Sequence, residues 1–244
     1  MAMERRPGYD MNFPDELAGA MRRAEKLGVN YPEGYYEDMA RKYSTDNVPY
    51  PYIVRHIGIP RIMKHFFYGN AHKIRGNFLD YGCGTGDAIR QLIRDGYPSE
   101  KVHGFDVNDG SISLGADIYL DEEFIRKLTT VAPEFPETSE VYDLVYSGSV
   151  VHVIRDEDEF RQYLNNACNA LKKDGIFFGS TLGLEEFADK RNGQGPPRLM
   201  RSSELYDAFS KAGFSGIRII TEEMPDMRRR SAGNMCLYQF YARK

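Results

Sequence analysis

The segment from Phe78 to Gly86, with the sequence FLDYGCGTG, constrains the fold of this chain more than any other stretch. An apolar run of strand length leads into three alternating glycines, and the residues from Asp87 to Arg94 are compatible with a helix. Glycines let the backbone approach a ligand without a clash of Cβ atoms, and free amides at the start of a helix donate hydrogen bonds to polar groups. This order of strand, loop and helix predicts a nucleotide-type binding loop in an α/β fold.

Apolar runs of strand length alternate with amphipathic helical patterns along the rest of the chain. The predicted strands are Asn77–Tyr81, Lys101–Asp106, Val141–Tyr146, Gly175–Ser180, Gly216–Thr221 and Cys236–Tyr241. The predicted helices are Asp87–Asp95, Ile112–Tyr119, Asp156–Leu171 and Ser203–Ala212. Such alternation predicts a mainly parallel sheet with helices on both faces. Because no helical pattern separates the last two strands, we expect one of them to run antiparallel.

The residues before the glycine-rich segment predict a helical cap. From Asp15 to Gly28 the apolar residues recur at steps of three and four, as on an amphipathic helix. Six tyrosines follow from Tyr31 to Tyr52, and the prolines among them exclude one long helix. A further helical segment is expected from Ile59 to Tyr68. We therefore predict a cap or lid over residues 1–75 and a binding domain over residues 76–244, as one structural unit.

The composition narrows the possible partners. Lys and Arg number 32 against 36 Asp and Glu, and this net charge of -4 has the wrong sign for a surface that neutralises nucleic-acid phosphates. The three cysteines lack paired spacing and the histidines lack HxH or HxxxH spacing, so we expect neither a disulfide framework nor a metal. No apolar run has the length of a membrane span or a signal segment, which predicts no membrane partner and a cytoplasmic location.

Asp106 ends the second predicted strand, 26 residues after Asp80. Rossmann-like folds bind ribose hydroxyls at this place, where a carboxylate accepts both hydroxyl hydrogens. The glycine spacing is GxGxG rather than the GxGxxG of dinucleotide-binding loops, and Asp87 stands where the third glycine would be. The pair of loop and acid therefore favours a nucleoside-containing cofactor other than a dinucleotide.

Leu79–Gly86 resembles the first motif of class I S-adenosylmethionine (SAM)-dependent methyltransferases, and Asp106 matches the ribose-binding acid of that family. The resemblance covers roughly Gly76 to Lys244, and the last two strands are similar to the family's final pair with its reversed seventh strand. It implies a Rossmann-like α/β fold with a seven-stranded, mainly parallel sheet whose last strand is antiparallel. The family's third strand, which ends in an acid that binds adenine, has no convincing counterpart between Asp106 and Val141.

The resemblance also implies roles for individual residues. The residues expected around the methionine part of SAM are Asp80, Gly82, Cys83 and Gly84, with Asp106 on the ribose and Val107 and Asn108 near the adenine. Ser147 and His152 follow the fourth strand and are expected to face the cleft. His152 is either a general base or a histidine satisfied by structural hydrogen bonds. Among the lid tyrosines Tyr43 is the preferred SAM contact, against the alternative that it only packs.

The predicted function is SAM-dependent methyl transfer to a small molecule, with S-adenosyl-L-homocysteine (SAH) as product. Gly104–Leu120 and Pro196–Phe214 resemble natural-product tailoring enzymes that make methyl ethers or esters, so the acceptor is expected to be a hydroxyl or a carboxylate. The alternatives are a methyltransferase-like protein that binds SAM without methyl transfer, and an NAD-dependent oxidoreductase. The cap and the loop Gly183–Leu199 are expected to select the acceptor, and the oligomeric state stays open.

Overall fold

The computed structural model describes residues 11–184, 198–222 and 235–244. Most of the predicted acceptor loop Gly183–Leu199 lies outside the described residues.

Eight α-helices and seven strands occur within these described ranges. The helices are α1 Phe13–Lys26, α2 Tyr35–Lys42, α3 Tyr68–Ile74, α4 Asp87–Arg94, α5 Asp109–Tyr119, α6 Glu122–Leu128, α7 Glu157–Ala170 and α8 Ser202–Lys211. The strands are β1 Phe78–Tyr81, β2 Val102–Asp106, β3 Thr129–Val131, β4 Tyr142–Gly148, β5 Leu171–Leu184, β6 Ser215–Glu222 and β7 Met235–Arg243. No helix of the described residues is long and apolar enough to cross a membrane.

The strands form one sheet in the order β3-β2-β1-β4-β5-β7-β6. Neighbours from β3 to β5 are parallel, whereas β7 is antiparallel to both β5 and β6. This confirms the predicted Rossmann-like sheet with its reversed last strand. The chain leaves β1 toward β2 on one side and returns to β4 on the other, and ligands of open α/β sheets bind in the crevice at such a switch point.

Successive residues of the central strands pack on opposite faces of the sheet. Leu144 and Phe178 belong to a core with α3, α4 and α5, whereas Val145 and Phe177 belong to a core with α7 and α8. Side chains alternate across a strand, and helices cover both faces here, so both sets are apolar. The strands consequently appear in the sequence as continuous apolar runs, as the prediction assumed.

Strand β3 corrects the expectation that no third strand lies between Asp106 and Val141. It is three residues long, half-buried, and paired with β2 through Asp106 and Val131. So short an edge strand offers too few residues for a periodic apolar pattern, which explains the error. Ala132 and Pro133 follow it, so an acid does not directly follow the strand.

The predicted helix Ile59–Tyr68 is wrong in its form. Arg61–Lys64 is a 3-10 helix, and the chain is extended at His65 before α3 begins at Tyr68. The buried His65 ring explains the break, because its Nε2 donates to the carbonyls of Gly179 (3.0 Å) and Phe240 (3.2 Å), while Nδ1 accepts from Phe67 N. These bonds attach the cap to β5 and β7.

The first part of the cap packs on α5. Leu17 and Met21 of α1 share a buried cluster with Leu114 and Ile118 of α5. The guanidinium of Arg23 donates to the carbonyls of Val54 and Ile57, each at 2.6 Å. These bonds hold the 3-10 helix Pro51–Arg55 and the residues after it against α1. The cap therefore lies beside the crevice, and the division at residue 75 stays a prediction.

Candidate cofactor site

The glycine-rich loop lies at the carboxyl end of β1 and is fixed by its own backbone. The amides of Gly82 and Cys83 both donate to the carbonyl of Phe105, at 2.8 and 3.0 Å. Gly82 has a φ of +84°, and a Cβ there would lie 2.4 Å from Cγ2 of Val150 in the segment after β4. Only glycine fits this position, where the loop meets the far wall of the crevice.

Asp106 connects the loop to the end of β2. Its carboxylate accepts from Gly84 N at 2.7 Å and from Asn108 N at 2.9 Å. Burial raises the pKa of Asp106, while the amides of Gly84 and Asn108 oppose this rise. Each carboxylate oxygen has about two acceptor positions, so both oxygens keep capacity for ribose hydroxyls.

Asp80 lies buried beneath the loop. Burial, with the charges of Asp106 and Asp87 nearby, raises the pKa of Asp80 to about 8. Asp106 and Asp87 therefore make this end of the crevice acidic, while Asp80 itself is largely protonated near neutral pH. SAM carries a sulfonium and an ammonium group, and opposite charges held close to each other in a partly buried site attract strongly.

Asp87, at the first residue of α4, joins loop, cap and α5. Its carboxylate accepts from Gly58 N (2.7 Å), from the Tyr119 hydroxyl (2.6 Å) and from the Thr85 hydroxyl (2.5 Å). Asp87, which stands where a dinucleotide-binding loop has its third glycine, thus uses its carboxylate for hydrogen bonds within the protein.

The cap segment from Pro49 to Ile53 lies across the loop. Cδ1 of Ile53 is 2.9 Å from the position of a Cβ on Gly84, and Cδ of Pro49 is 3.5 Å from that of a Cβ on Gly110. Burial raises the pKa of Tyr50, and the nearby charge of Asp106 raises it further. Tyr50, rather than Tyr43, is thus the lid tyrosine within electrostatic reach of Asp106, the acid predicted to bind the ribose.

The structure places the other predicted cofactor residues in several environments. Val107 is 61% exposed at the end of β2, and Asn108 caps α5 by accepting from Gly110 N at 2.9 Å. The buried Cys83 thiol packs toward Gly104, so only its backbone faces the loop side. Tyr43 packs in the cap cluster and donates to Asp117 at 2.5 Å. The role of Tyr43 as a SAM contact stays a prediction.

Ser147 lies within β4, and His152 lies in the 3-10 turn Val151–Val153 that follows it. The Ser147 side chain is fully buried and accepts from the Tyr163 hydroxyl at 2.7 Å. His152 Nδ1 lies 3.3 Å from Thr181 Oγ1 and accepts from Leu182 N at 3.4 Å, and this acceptor role is compatible with a ring proton on Nε2. Burial, assisted by the charge of Arg61, lowers the pKa of His152 to about 4, so its neutral ring is a weak base.

Sequence reasoning missed Arg61, which lies in the 3-10 helix of the cap. Its Nη1 donates to Ser149 Oγ, and its Nη2 donates to His56 Nε2 at 2.7 Å. No sequence motif indicates a role for Arg61, because its contact partner Ser149 lies 88 positions further along the chain. In the ranges that the structure describes, no group of three or more His, Cys, Asp or Glu is arranged to hold a metal.

The sequence comparisons agree with this geometry. Residues 78–175 match a family described as a methyltransferase domain. This segment runs from β1 into β5 of the seven-stranded sheet, so the part of the chain that is similar in sequence to methyltransferase domains is the part that carries the glycine-rich loop and Asp106. The match does not support the NAD-dependent alternative.

Curated relatives come from fungi. The O-methyltransferase phiE of a fungal species is 35% identical over 83 residues, 31% of this chain and 28% of that protein. The asnovolin E/chermesin D methyltransferase nvfJ of Aspergillus novofumigatus is 46% identical over 49 residues, 20% of this chain and 18% of that protein. The aligned part of the chain spans less than a third of the length of either relative.

Solved structures share the fold. PigF with SAH has a TM-score of 0.57 and 18% identity, covering 96% of this chain and 71% of that one. Phosphoethanolamine N-methyltransferase 2 of Haemonchus contortus with SAM has a TM-score of 0.55 and 17% identity, covering 69% and 48%. The [4+2]-cyclase SpnF has a TM-score of 0.54 and 15% identity, covering 72% and 81%. One fold thus carries several chemistries.

Proposed function

We propose that this chain transfers the methyl group of SAM to an oxygen atom of a small molecule, either a hydroxyl or a carboxylate. The observation that carries the proposal is the Asp106 carboxylate, bonded to Gly84 N at the carboxyl end of β2 and approached by the cap at Tyr50. Support for oxygen as the acceptor comes from the fungal relative phiE, which is an O-methyltransferase. The net charge of -4 favours a small molecule over nucleic acid, and a cytoplasmic location stays part of the proposal.

The residues of the crevice fit SAM. Gly82 lets the loop pack directly against Val150, which closes the floor of the crevice at this point. We assign Asp106 to the ribose. The charge of Asp87 lies near the loop, whereas Asp80, with its pKa raised to about 8 by burial, is largely protonated near neutral pH. SAM supplies an electrophilic methyl group when bound, so the protein has to align the acceptor and exclude water. The cap from Pro49 to Ile53 covers the loop and serves both tasks.

The state of His152 bears on the acceptor. A hydroxyl acceptor must lose a proton, whereas a carboxylate is already ionised near neutral pH. With its pKa near 4 and Nδ1 accepting from Leu182 N, His152 is better suited to donate from Nε2 to an acceptor oxygen than to remove a proton. This favours a carboxylate within the proposed pair of acceptors, and the general-base role of His152 stays a prediction.

Calorimetric titration with SAM, SAH and NAD tests the cofactor assignment. Asp106→Asn keeps the shape but loses the charge-assisted bonds to the ribose, so SAM affinity is expected to fall by about 10- to 100-fold. Glu100→Gln is the matched control, because Glu100 is an exposed acid of the segment before β2. Equal affinities of both variants for SAM, or tighter binding of NAD than of SAM, would contradict the assignment.

Methyl transfer itself requires product analysis. The chain is incubated with SAM and a panel of small molecules that carry either a hydroxyl group or a carboxylate. SAH and the methylated products are quantified by mass spectrometry. Turnover with any panel member separates an enzyme from a protein that only binds SAM. SAH binding without methylated product across the panel would favour the non-transferring alternative.

A further inference from the structure

Arg61 is a cation in the crevice without an acidic partner. Among residues 11–184, 198–222 and 235–244, its hydrogen bonds go to the neutral groups of Ser149 and His56. Burial lowers the pKa of Arg61, and no carboxylate offsets this loss of hydration. Arg61 is half-buried, so an anion that paired with its guanidinium would compensate for the lost hydration, and the planar fork of the guanidinium matches a carboxylate. Two of its five N–H groups are used, so donors remain for a ligand.

The neighbours of Arg61 place it next to the glycine-rich loop. Its partner Ser149 precedes Val150, the residue whose Cγ2 would meet a Cβ on Gly82 at 2.4 Å. Ser149 has a φ of +66°, in the left-handed region that non-glycine residues rarely occupy. Such strain persists where the surroundings hold it, often at ligand sites. Arg61 is thus attached to a strained residue on the far wall of the crevice from Gly82.

The cap residues meet the crevice in chain order. Pro49 and Tyr50 lie at Gly110 and Asp106, Ile53 lies at Gly84, and Arg61 lies at Ser149. The cap therefore runs from Asp106, across the glycine-rich loop, to Ser149 after β4. A ligand carboxylate in the crevice beside Ser149 would have the Arg61 guanidinium next to it.

We infer that Arg61 binds a carboxylate in the crevice between the cap and the loop after β4. This inference rests on the proposed function. Two molecules of the reaction can bring this group: SAM through its methionine end, and the acceptor if it is an acid. His56 orients the guanidinium, because its Nε2 accepts from Nη2 and its pKa, lowered by burial to about 4, keeps the ring neutral.

The first arm of the test compares SAH with 5′-methylthioadenosine, which lacks the amino-acid end. Both are titrated calorimetrically into the wild-type chain, Arg61→Met and Arg61→Lys. If the methionine carboxylate is the ligand, Arg61→Met lowers the affinity for SAH by about 10- to 100-fold. The affinity for 5′-methylthioadenosine then stays within about twofold of the wild-type value. Arg61→Lys keeps the charge without the fork and is expected to give an intermediate affinity for SAH.

The second arm tests the acceptor as the source. Saturation-transfer NMR is recorded for benzoate and for the neutral benzamide, on the free and the SAH-saturated protein. If an acceptor carboxylate is the ligand, SAH affinity is unchanged in Arg61→Met, while the benzoate signal of the wild type is lost and the benzamide signal is not.

Arg55→Met is the matched control for both arms. Arg55 lies in the neighbouring 3-10 helix, and its guanidinium is already paired with Glu16 at 2.7 Å. The inference is overturned if Arg61→Met weakens SAH and 5′-methylthioadenosine equally, or if it changes neither SAH nor benzoate binding. A wild-type chain that fails to bind SAH contradicts the proposed function instead, and the benzoate arm on free protein still tests Arg61.

Discussion

The glycine-rich loop and the cap form two walls of the same crevice but are held by different kinds of contact. The loop is fixed by backbone bonds to the next strand, from Gly82 and Cys83 to Phe105, and by close packing that excludes a Cβ. The first part of the cap packs on α5 through apolar side chains, but beside the crevice the cap is attached by polar side chains, Asp87 to Gly58 and His65 to the carbonyls of β5 and β7. The loop should therefore be sensitive to added volume, and the cap to lost hydrogen bonds.

The largest expected effect is at the loop. Gly82→Ala adds a Cβ 2.4 Å from Val150 at a positive φ, so we expect a loss of about 3 kcal/mol in unfolding free energy and at least a tenfold loss in SAH affinity. Gly96→Ala is the control, because Gly96 also has a positive φ of +88° but has nothing within 4 Å of its Cβ position. Its cost should be about 1 kcal/mol. Urea unfolding and calorimetry that give equal effects for both would refute the steric argument.

The next effect is at the attachment of the cap. Asp87→Ala leaves the Gly58 amide and the Tyr119 hydroxyl without their charged acceptor, which is expected to cost about 2 kcal/mol of unfolding free energy. Tyr119→Phe removes one of these bonds and should cost about 1 kcal/mol. In urea unfolding the double variant should cost less than the sum, because the two residues share a bond. Strict additivity would show that the Tyr119 bond contributes nothing.

His65 is expected to have the smallest effect on stability near neutral pH. This effect grows as the pH falls. Burial lowers the pKa of His65 to about 4, so between pH 6.5 and 4 the unfolded chain binds a proton that the folded chain does not. Stability therefore falls as the pH falls, by about 2 kcal/mol at pH 5 for this one group.

Urea unfolding at pH 7 and pH 5 checks this linkage. His65→Gln should lose less stability than the wild type between these two pH values, whatever its stability at pH 7. His72→Gln is the control, since the described contacts of His72 are with Tyr68 and Tyr97 rather than with the sheet. A pH dependence that is the same for wild type and His65→Gln would show that this ring does not control acid stability.

The same contrast explains what could be predicted from the sequence. The loop, Asp106 and the reversed last strand are encoded by short local patterns, and the sheet confirms the fold that they predicted. Contacts across the chain leave no such pattern. Arg61 reaches Ser149 over 88 positions, and Tyr50 rather than Tyr43 comes near Asp106, because the 3-10 segment carries the chain over the loop. The three-residue strand β3 was missed because it is too short to show a period.

The reversed strand has a consequence for biosynthesis. β7 lies between β5 and β6 in the sheet but follows both of them in the chain. β5 and β6 therefore lack the strand that pairs with each of them until Met235–Arg243 has left the ribosome. Until then the nascent chain exposes the edges of β5 and β6, and unpaired edges of this kind promote aggregation and recruit chaperones. Closure of the sheet is thus a late event in synthesis, and the cap bond from His65 to Phe240 cannot form before it.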